Sequence, residues 1–477
     1  MKKMMSFLLA FLILTASASA ETLRTYGISW TDYARKRLTE KYPGLKIQIW
    51  EGDGAAYRTT AEFAAPLQLR TFNWDAFELE AEYVDAQLLM EKGFLLDLSF
   101  CADVRDIMGR LHPSIAEQCM RDGKIYALPR LDRNPAYLLY VDMENWLAAG
   151  YTAEDIPGTF PEFLDFIERC ITRYEQEPDF AYLMIGFNSE FYNVKSWPHY
   201  LTTLFLYNHS FQCSYAGVPL RYNDPAVVEI MERIETLCDR LWALGPRLAS
   251  DDFDPPCLFT DFPGWEHVAE TRVDLRLSED QPRLTPMFLI MTAANAATDQ
   301  PELAADFLVA QLMTEVELFP EFGAMLFQDA QAVRNPDFDE FYTHSLNMVA
   351  LCEHRLAGDD TPIDAYIIPE DDTSYEDTAA RLWDMDDLRV EEQLMYWRTF
   401  NASLLEREWL VSEAGLAAYK AIADEIYFIQ PDIFNTTQET QTNSDRLWNQ
   451  FCDGLLSARE YCEQLDRMAW MMEMENR

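Results

Sequence analysis

Polar and aromatic side chains stand directly after two predicted strands near the start of the chain. Ser29 and Trp30 follow a strand over 23–27, and Glu51 follows a second strand over 45–49. Trp and Tyr rings pack against flat C–H surfaces, while carboxylates and hydroxyls pair with the hydroxyl groups of a ligand. This combination suits a polar, neutral, flat-faced small molecule. Trp30 has an alternative interpretation, as a ring that packs on the helix following it.

The common catalytic and nucleotide-binding motifs are absent from the sequence. It contains no G-x-S-x-G, P-loop, H-E-x-x-H or G-x-G-x-x-G pattern. The six histidines are scattered, and none of the nine cysteines lies in a Cys-x-x-Cys pair, so no zinc site or disulfide framework is predicted. With 81 acidic residues, any one carboxylate pair is uninformative about hydrolysis. We therefore predict a binding protein that is not an enzyme and needs no cofactor or metal.

Charge and composition exclude further classes. The formal net charge is −43, which excludes sequence-independent binding to nucleic acid and repels anionic lipid surfaces. Hydrophobic residues make up 49% of the chain, so a folded, globular protein is predicted. Its 477 residues predict two or three domain-sized cores.

The first residues have the pattern of a secretory signal peptide. Within Met1–Ala20, two lysines precede an apolar run over 7–14, and Ala18-Ser19-Ala20 forms an A-x-A cleavage motif before Glu21. The apolar run is too short to span a bilayer. The first cysteine is Cys101, so a lipobox cysteine is not seen after the signal. We expect an exported protein, extracellular or associated with the cell envelope, without a lipid anchor.

The elements around the first candidate residues follow an α/β pattern. A strand over 23–27, a helix that begins at Thr31 or Asp32 and a strand over 45–49 form a β-α-β unit. Such a unit buries its helix against a sheet. In sheets of this kind, ligands bind beyond the carboxyl ends of the strands.

A second organised stretch occupies residues 121–170. The Asp122-Gly123 turn leads into a strand over 124–128, and Pro129 is expected to end it because proline cannot donate to a strand ladder. The apolar run over 137–141 predicts a strand buried on both faces.

Two helices are predicted after that strand. Asp142 caps the first, whose Trp146 and Leu147 are expected to face inward. The capping box Thr159-Phe160-Pro161-Glu162 opens the second. Its inward residues recur at helical spacing: Phe163, Phe166, Ile167 and Cys170.

In this order the elements resemble the extracellular solute-binding proteins of bacterial ABC importers, of the maltose- or oligosaccharide-binding type. Residues 122–129 match the family's turn and strand D-G-K-I-Y-A-L-P, and 159–163 match its following helix start. Residues 454–471 match its closing pattern G-x-x-S-A-x-E-F-x-x-x-L-D-R-x-x-x-M. The resemblance covers most of 21–477. It fails at 251–256, where the family's G-K-x-A-M strand is missing.

The resemblance implies an α/β, two-lobed periplasmic-binding-protein-like fold, in which each lobe is a sheet flanked by helices and the chain crosses between lobes at a hinge. One lobe would hold residues 21–128 and 286–345, and the other residues 129–285 and 346–477. The protein would capture a carbohydrate, an oligosaccharide, by hinge closure. It would deliver that ligand to the transmembrane subunits of an ABC permease, and it would act as a monomer.

The resemblance also implies ligand-binding residues. The family's loop after its third strand supplies carboxylates and a ring, here at Glu80 and Tyr83, although the alternating Glu78, Glu80 and Glu82 also fit a solvated face. Rings on the other lobe are expected at the positions where sugar-binding relatives have them: Tyr192, Trp197, Trp265 and Trp448.

Two alternatives to this function remain open from the sequence. One is a secreted carbohydrate-active hydrolase that uses an acidic pair, and the other is a surface protein with a degenerate cleft and no role in transport. The acidic stretch 359–392 lacks the glycine and the spacing of an EF-hand, so we expect a solvated connector there instead of a calcium site.

Overall fold

The computed structural model describes residues 21–50, 59–131, 135–177, 183–185, 197–244, 256–260, 262–358, 382–383, 385–405 and 407–475. The chain forms two compact units, one comprising residues up to 329 together with 417–477, the other residues 330–416.

The strands are β1 (Thr22–Tyr26), β2 (Lys46–Trp50), β3 (Ala76–Glu80), β4 (Met120–Arg121), β5 (Lys124–Ile125), β6 (Ala127–Leu131), β7 (Leu139–Val141), β8 (Leu183–Ile185), β9 (Cys257–Thr260), β10 (Arg272–Val273), β11 (Thr285–Met287), β12 (Leu289–Ala294), β13 (Val333–Arg334), β14 (Trp409–Val411) and β15 (Ile426–Phe428). The α-helices span Thr31–Leu38, Thr60–Gln68, Ala86–Glu91, Ala102–Arg110, Pro113–Gln118, Met143–Ala148, Phe160–Gln176, Trp197–Ala216, Pro225–Leu244, Val268–Thr271, Pro301–Leu318, Pro320–Leu326, Phe338–Leu356, Asp387–Leu405, Glu413–Ala421, Gln438–Cys452 and Ala458–Glu475.

The first sheet has five strands in the order β2-β1-β3-β12-β6. Strands β1, β2 and β3 run parallel, and β12 runs antiparallel to both β3 and β6. It follows that β6 runs in the same direction as β1 and β3. The helix Thr31–Leu38 connects β1 to β2, so the predicted β-α-β unit is confirmed.

The two faces of this sheet differ sharply because strand side chains alternate. Phe77 and Leu79 of β3 are fully buried, and the Phe77 ring packs against Phe63 of the helix Thr60–Gln68 at 5.6 Å. Glu78 lies on the opposite face. Arg130 forms ion pairs with both Glu78 and Glu315, and Glu315 belongs to the helix Pro301–Leu318. That helix therefore covers the face on which the alternating glutamates lie.

The prediction that Pro129 ends its strand was wrong. Pro129 lies inside β6 and is paired in register with Met291 of β12. The strand tolerates proline because β6 is the last strand of its sheet, and an edge strand has one side without ladder hydrogen bonds.

The second sheet has the order β10-β7-β9-β8 and adjoins a large hydrophobic core. The helix Phe160–Gln176 buries all four predicted inward residues there, and Trp146 is fully buried. Asp142 caps its helix by accepting from the Asn145 amide at 2.9 Å. Leu147, however, is 56% exposed and does not face inward as predicted. It is adjacent to Trp146 in sequence, so it points about 100° away around a short helix.

The chain passes from the first sheet to the second between β6 and β7 and returns between β11 and β12. Two short strands, β11 and β12, lie along this return and are separated at Phe288. Strand β11 pairs with β15 and not with the first sheet. The Ala136 amide donates to the Pro286 carbonyl at 2.8 Å, which ties the two crossing segments together.

Residues 330–416 form a compact unit built on two long helices. The helices Phe338–Leu356 and Asp387–Leu405 share a small core of Met348, Leu351, Cys352, Leu382 and Val390. The expected connector over 359–392 is therefore helical from Asp387 onward, and its residues 359–381 and 384 lie outside the described part of the chain.

The fold-class prediction is confirmed: the protein is α/β, with two main sheets, each flanked by helices, and the chain crosses between them more than once. The proposed boundaries of the two lobes stay a prediction. Among the described residues, no helix is long and apolar enough to cross a membrane.

Candidate ligand-binding site

One edge of the first sheet gathers the carboxyl ends of β1, β3 and β6. These three strands share a direction, so the residues that follow them meet at the same edge. Ser29 and Trp30 follow β1, Glu80 and Tyr83 lie at the end of β3, and Arg130 lies near the end of β6. The chain also leaves the sheet for the first crossing at this edge.

The second sheet presents a matching edge. Strand β7 begins directly after the first crossing, and β9 runs antiparallel to it with Thr260 opposite Tyr140. Strand β8 runs parallel to β9. The carboxyl ends of β8 and β9 therefore lie on the crossing side, and Trp197 and Trp265 come after these two strands. The topology thus places candidate residues of the first sheet, and Trp265 of the second, after strand ends on the crossing side. Trp197 is separated from β8 by residues outside the described part of the chain.

Four side chains at the first edge form what we call the carboxylate cluster: Glu78, Glu80, Arg130 and Glu315. The Arg130 Nη1 atom lies 3.3 Å from Glu78 Oε2 and 3.6 Å from Glu315 Oε1. Glu78 and Glu315 side chains are only 13% and 5% exposed. The alternative of a solvated glutamate face therefore does not hold for Glu78.

Burial changes the ionisation of the cluster. Desolvation raises the pKa of Glu78 to about 7, with Arg130 opposing the rise and Glu315 adding to it. Desolvation and the neighbouring Glu78 and Glu82 carboxylates raise the pKa of Glu80 to about 7. The pKa of Glu315 is raised as well, chiefly by burial. One guanidinium does not offset three carboxylates in a partly dry site.

Gln311 connects this cluster to the backbone after β1. Its Nε2 donates to the Ser29 carbonyl at 2.7 Å and to Glu315 Oε1 at 2.9 Å. Gln311 is 1% exposed, and within the described part of the chain its Oε1 has no hydrogen-bond partner. Ser29 itself is exposed at the edge, and the Gln311 side chain holds its backbone carbonyl in place.

A second polar group reaches from the first sheet to the residues of the first crossing. The Tyr137 hydroxyl donates to Glu82 Oε1 at 3.2 Å, and the Tyr137 ring stacks on Tyr207 with centroids 3.9 Å apart. Tyr83 is also hydrogen-bonded to Glu82. Burial raises the pKa of Glu82, while the two tyrosine hydroxyls oppose that rise. Asp432, whose pKa burial also raises, adds to the negative field at Glu82.

Tyr137 adopts an uncommon backbone conformation in this group. Its φ is 54°, in the left-handed region that a residue with a Cβ occupies at a cost. The predicted strand over 137–141 accordingly begins only at Leu139. The backbone turn at Tyr137 directs its ring onto Tyr207 and its hydroxyl onto Glu82.

Trp30 sits at the start of the helix Thr31–Leu38 with φ of 57°. Its ring contacts Tyr33 of that helix at 6.1 Å and Phe319 at 5.6 Å between centroids. The ring is nevertheless 44% exposed. Both interpretations of Trp30 are thus compatible with its position, since it packs on its own helix and still offers surface at the edge.

Trp265 begins a single turn of 3-10 helix, directly after Gly264. Its ring lies 4.8 Å from the centroid of Phe262 and 4.8 Å from that of Tyr419, edge-on to both. The ring is partly exposed. Trp265 as a ligand-binding residue stays a prediction.

Trp197 and Trp448 are partly buried against the large core of the second sheet. The Trp197 ring contacts Tyr200, and the Trp448 ring lies 4.4 Å from His199. These contacts are with other side chains of the core, and a role of either ring in binding stays a prediction. Glu51 and Tyr192 lie outside the described residues.

Sequence reasoning missed several members of this site: Arg130, Tyr137, Tyr207, Gln311, Glu315 and Asp432. Glu78 and Glu82 were recognised only as part of an alternating acidic run. A usable signal existed at Arg130, a basic residue shortly after a predicted strand in a strongly acidic chain. Among the described residues, no group of three or more His, Cys, Asp or Glu side chains is arranged to hold a metal ion.

No protein-family model matches the sequence, and no curated protein matches it. Solved structures with a similar course of the chain include a chitin oligosaccharide binding protein, at 12% identity and a TM-score of 0.49, covering 95% of this chain and 98% of the other. A structure from a study of xylan utilization by Caldanaerobius polysaccharolyticus has 13% identity and a TM-score of 0.48, covering 94% of this chain and 99% of its own.

A third is an ABC transporter solute binding protein from Agrobacterium vitis S4 with bound D-mannitol, at 11% identity and a TM-score of 0.46, covering 95% and 97% of the two chains. At these TM-scores and identities, nothing about the ligand of the present chain follows from the likeness.

Proposed function

We propose that this protein is the extracellular solute-binding component of an ABC importer and that it captures a carbohydrate. The observation that carries the proposal is the pair of sheet edges turned toward the crossing segments, with carboxylates, tyrosines and partly exposed tryptophans on them. Carboxylates and tyrosine hydroxyls pair with sugar hydroxyls, and aromatic rings pack against the C–H faces. The motif resemblance of residues 122–129 and 454–471 agrees with this function.

The mechanism that we propose is hinge closure about the crossing segments. Phe288, which separates β11 from β12, and residues 135–138, which precede β7, are the positions that would absorb the rotation. The two lobes would comprise residues 21–128 with 286–345 and residues 129–285 with 346–477. A ligand held by both edges stabilises the closed form, and the permease would recognise that form.

Binding without turnover and export complete the proposal. No recognised catalytic motif occurs in the sequence, so we propose that the ligand leaves unchanged. Cleavage after Ala20 would release a mature protein that begins at Glu21. A monomer is proposed because one chain supplies both edges of the site.

A thermal-shift screen against mono- and oligosaccharides tests the function. A binder gains melting temperature with the logarithm of free ligand concentration, and chromatography recovers the ligand intact. A saccharide that is consumed would instead support a hydrolase, and a screen in which no saccharide shifts the melting temperature would contradict carbohydrate capture. For any saccharide that binds, small-angle scattering should give a smaller radius of gyration at saturation, because the lobes close.

A further inference from the structure

Among the described residues, the carboxylate cluster contains more hydrogen-bond acceptors than donors. The acceptors are the carboxylates of Glu78, Glu80 and Glu315 and the Oε1 atom of Gln311. Within that part of the chain, the donors that reach them are Arg130, shared between two carboxylates, and the Gln311 amide. Buried acceptors ordinarily have partners, so this imbalance calls for a donor from elsewhere.

The orientation of Gln311 sharpens that requirement. Its Nε2 faces two acceptors, the Ser29 carbonyl and Glu315 Oε1, so exchanging its nitrogen and oxygen would set oxygen against oxygen. The Oε1 atom is therefore the one left without a partner among the described residues, on a side chain that is 1% exposed. This unpaired acceptor belongs to a side chain that is hydrogen-bonded to Glu315, and an acceptor near a carboxylate favours a donor with positive charge.

The net charge of the carboxylate cluster also favours a positively charged donor. When ionised, the three glutamates carry three negative charges against the single positive charge of Arg130 among the described residues. Glu82 adds to the field at Glu80, and Asp432 lies beyond Glu82. Two outcomes relieve such an excess: the carboxyls keep protons, or a cation joins them. The raised pKa values of Glu78 and Glu80 describe the first outcome, in the protein alone.

We propose that the site takes an amine-bearing saccharide, whose ammonium group pairs with the carboxylate cluster. The inference rests on the proposed function, since it specifies the class of carbohydrate. The ammonium group supplies three donors and one positive charge, and the sugar hydroxyls and ring faces engage the tyrosines and tryptophans of the two edges. A neutral sugar supplies hydroxyl donors but no positive charge, so the excess of negative charge would persist unless Glu78 or Glu80 kept its proton.

The two cases differ in the sign of their pH dependence. Ammonium binding requires ionised glutamates, so affinity rises from about pH 5.5 to about pH 7.5, and protons are released on binding. For a neutral sugar that binds the protonated glutamates, affinity instead falls as pH rises over the same interval. The groups that face Glu78 and Glu80 and enter this balance are Arg130 of β6, Glu315 of the helix Pro301–Leu318, and Glu82.

The test uses pairs of saccharides that differ only in carrying an amino group or a hydroxyl group at C2 of each sugar unit. Glucosamine is compared with glucose, galactosamine with galactose, and the β-1,4-linked glucosamine trimer with cellotriose. Calorimetry at low salt, in two buffers of different ionisation enthalpy, gives the affinity and the number of protons released. In at least one pair the amine is expected to bind about tenfold to hundredfold more tightly near neutral pH, as charge-assisted hydrogen bonds do.

Variants locate the preference in the cluster. E78Q and E315Q should each reduce the ratio of amine to neutral affinity by about tenfold or more, because each removes an ionisable partner. Glu317→Gln is the matched control, since this glutamate lies on the same helix as Glu315 but is 69% exposed and pairs with Arg37. That variant should leave the ratio unchanged. Using a ratio removes any general effect of a variant on folding.

The outcomes separate the two proposals. Equal or tighter binding of the neutral member in every pair overturns the amine inference and leaves carbohydrate capture standing. Amine preference that survives in both E78Q and E315Q overturns the assignment to the cluster. If no member of any pair binds, the inference is overturned, and an equally blank thermal-shift screen overturns the proposed function with it.

Discussion

Replacing Glu78 by glutamine is expected to raise the melting temperature of the ligand-free protein at alkaline pH but not at acid pH. Burial raises the pKa of Glu78 from 4.5 to about 7. Each unit of difference corresponds to about 1.4 kcal/mol, so ionising Glu78 costs the folded state about 3 kcal/mol. The protonated group contributes its full stability below about pH 4.5, and this is lost as pH rises through about 7.

Glutamine has the shape of the protonated side chain and never ionises, so the variant escapes that loss. Arg130 keeps Glu315 as a partner, 3.6 Å away, so the substitution does not leave the guanidinium unpaired. For a unit of this size the entropy of unfolding is about 0.8 kcal/mol/K, and 3 kcal/mol corresponds to about 4 °C. The difference between variant and wild type should grow from near zero at about pH 4.5 to about that value at about pH 8.

Differential scanning calorimetry at constant ionic strength measures this difference at each pH. Glu40→Gln is the control, because Glu40 is exposed and glutamine there should shift the melting temperature little at any pH. A difference between E78Q and wild type that is the same at every pH would refute the reasoning, since it would mean that burial does not penalise the Glu78 carboxylate.

Trp265→Ala should weaken the binding of any saccharide found in the screen by about tenfold, because it removes a stacking ring worth about 1–2 kcal/mol. Differential scanning calorimetry of the fully buried Trp146→Ala should instead reveal a protein destabilised by about 3–5 kcal/mol. Tyr137→Phe keeps the ring stacked on Tyr207 but removes the hydrogen bond to Glu82, so stability should fall by about 1–3 kcal/mol, and an unchanged melting temperature would count against that bond. N-terminal sequencing of exported material should begin at Glu21, and a retained Met1 would contradict the signal-peptide prediction.

Local patterns in the sequence were sufficient for many of the elements. The helix Phe160–Gln176 follows from its apolar spacing and its start at Thr159, and Phe163, Phe166, Ile167 and Cys170 are fully buried as predicted. The β-α-β unit before Trp50 follows from alternation on either side of a capped helix. These predictions succeed because the period of side chains along a helix or strand is a property of the backbone alone.

Tertiary packing decided the outcome where a sequence pattern was compatible with two structures. Pro129 continues a strand because β6 is at the edge of its sheet, and strand order is not visible in the sequence. Leu147 is exposed because only one side of its short helix meets the core. The alternating glutamates have the spacing of a solvated face, yet the helix Pro301–Leu318 covers that face and buries Glu78.

By itself, the sequence determined the α/β class, the motif resemblance of residues 122–129 and 454–471, the strand after which Ser29 and Trp30 stand, and the acidic run that includes Glu80. Tertiary structure decided which of these residues share a site. Arg130 lies 52 positions from Glu78, and Gln311 lies 282 positions from the Ser29 carbonyl that it holds. Which distant residues meet at one edge depends on the order and direction of the strands, and neither is visible in the sequence. Tyr137 likewise reaches Glu82 and Tyr207 only because the chain leaves β6 and turns at that residue. Periodicity is local and can be read along the chain, whereas a binding site forms where residues from distant parts of the chain meet in space.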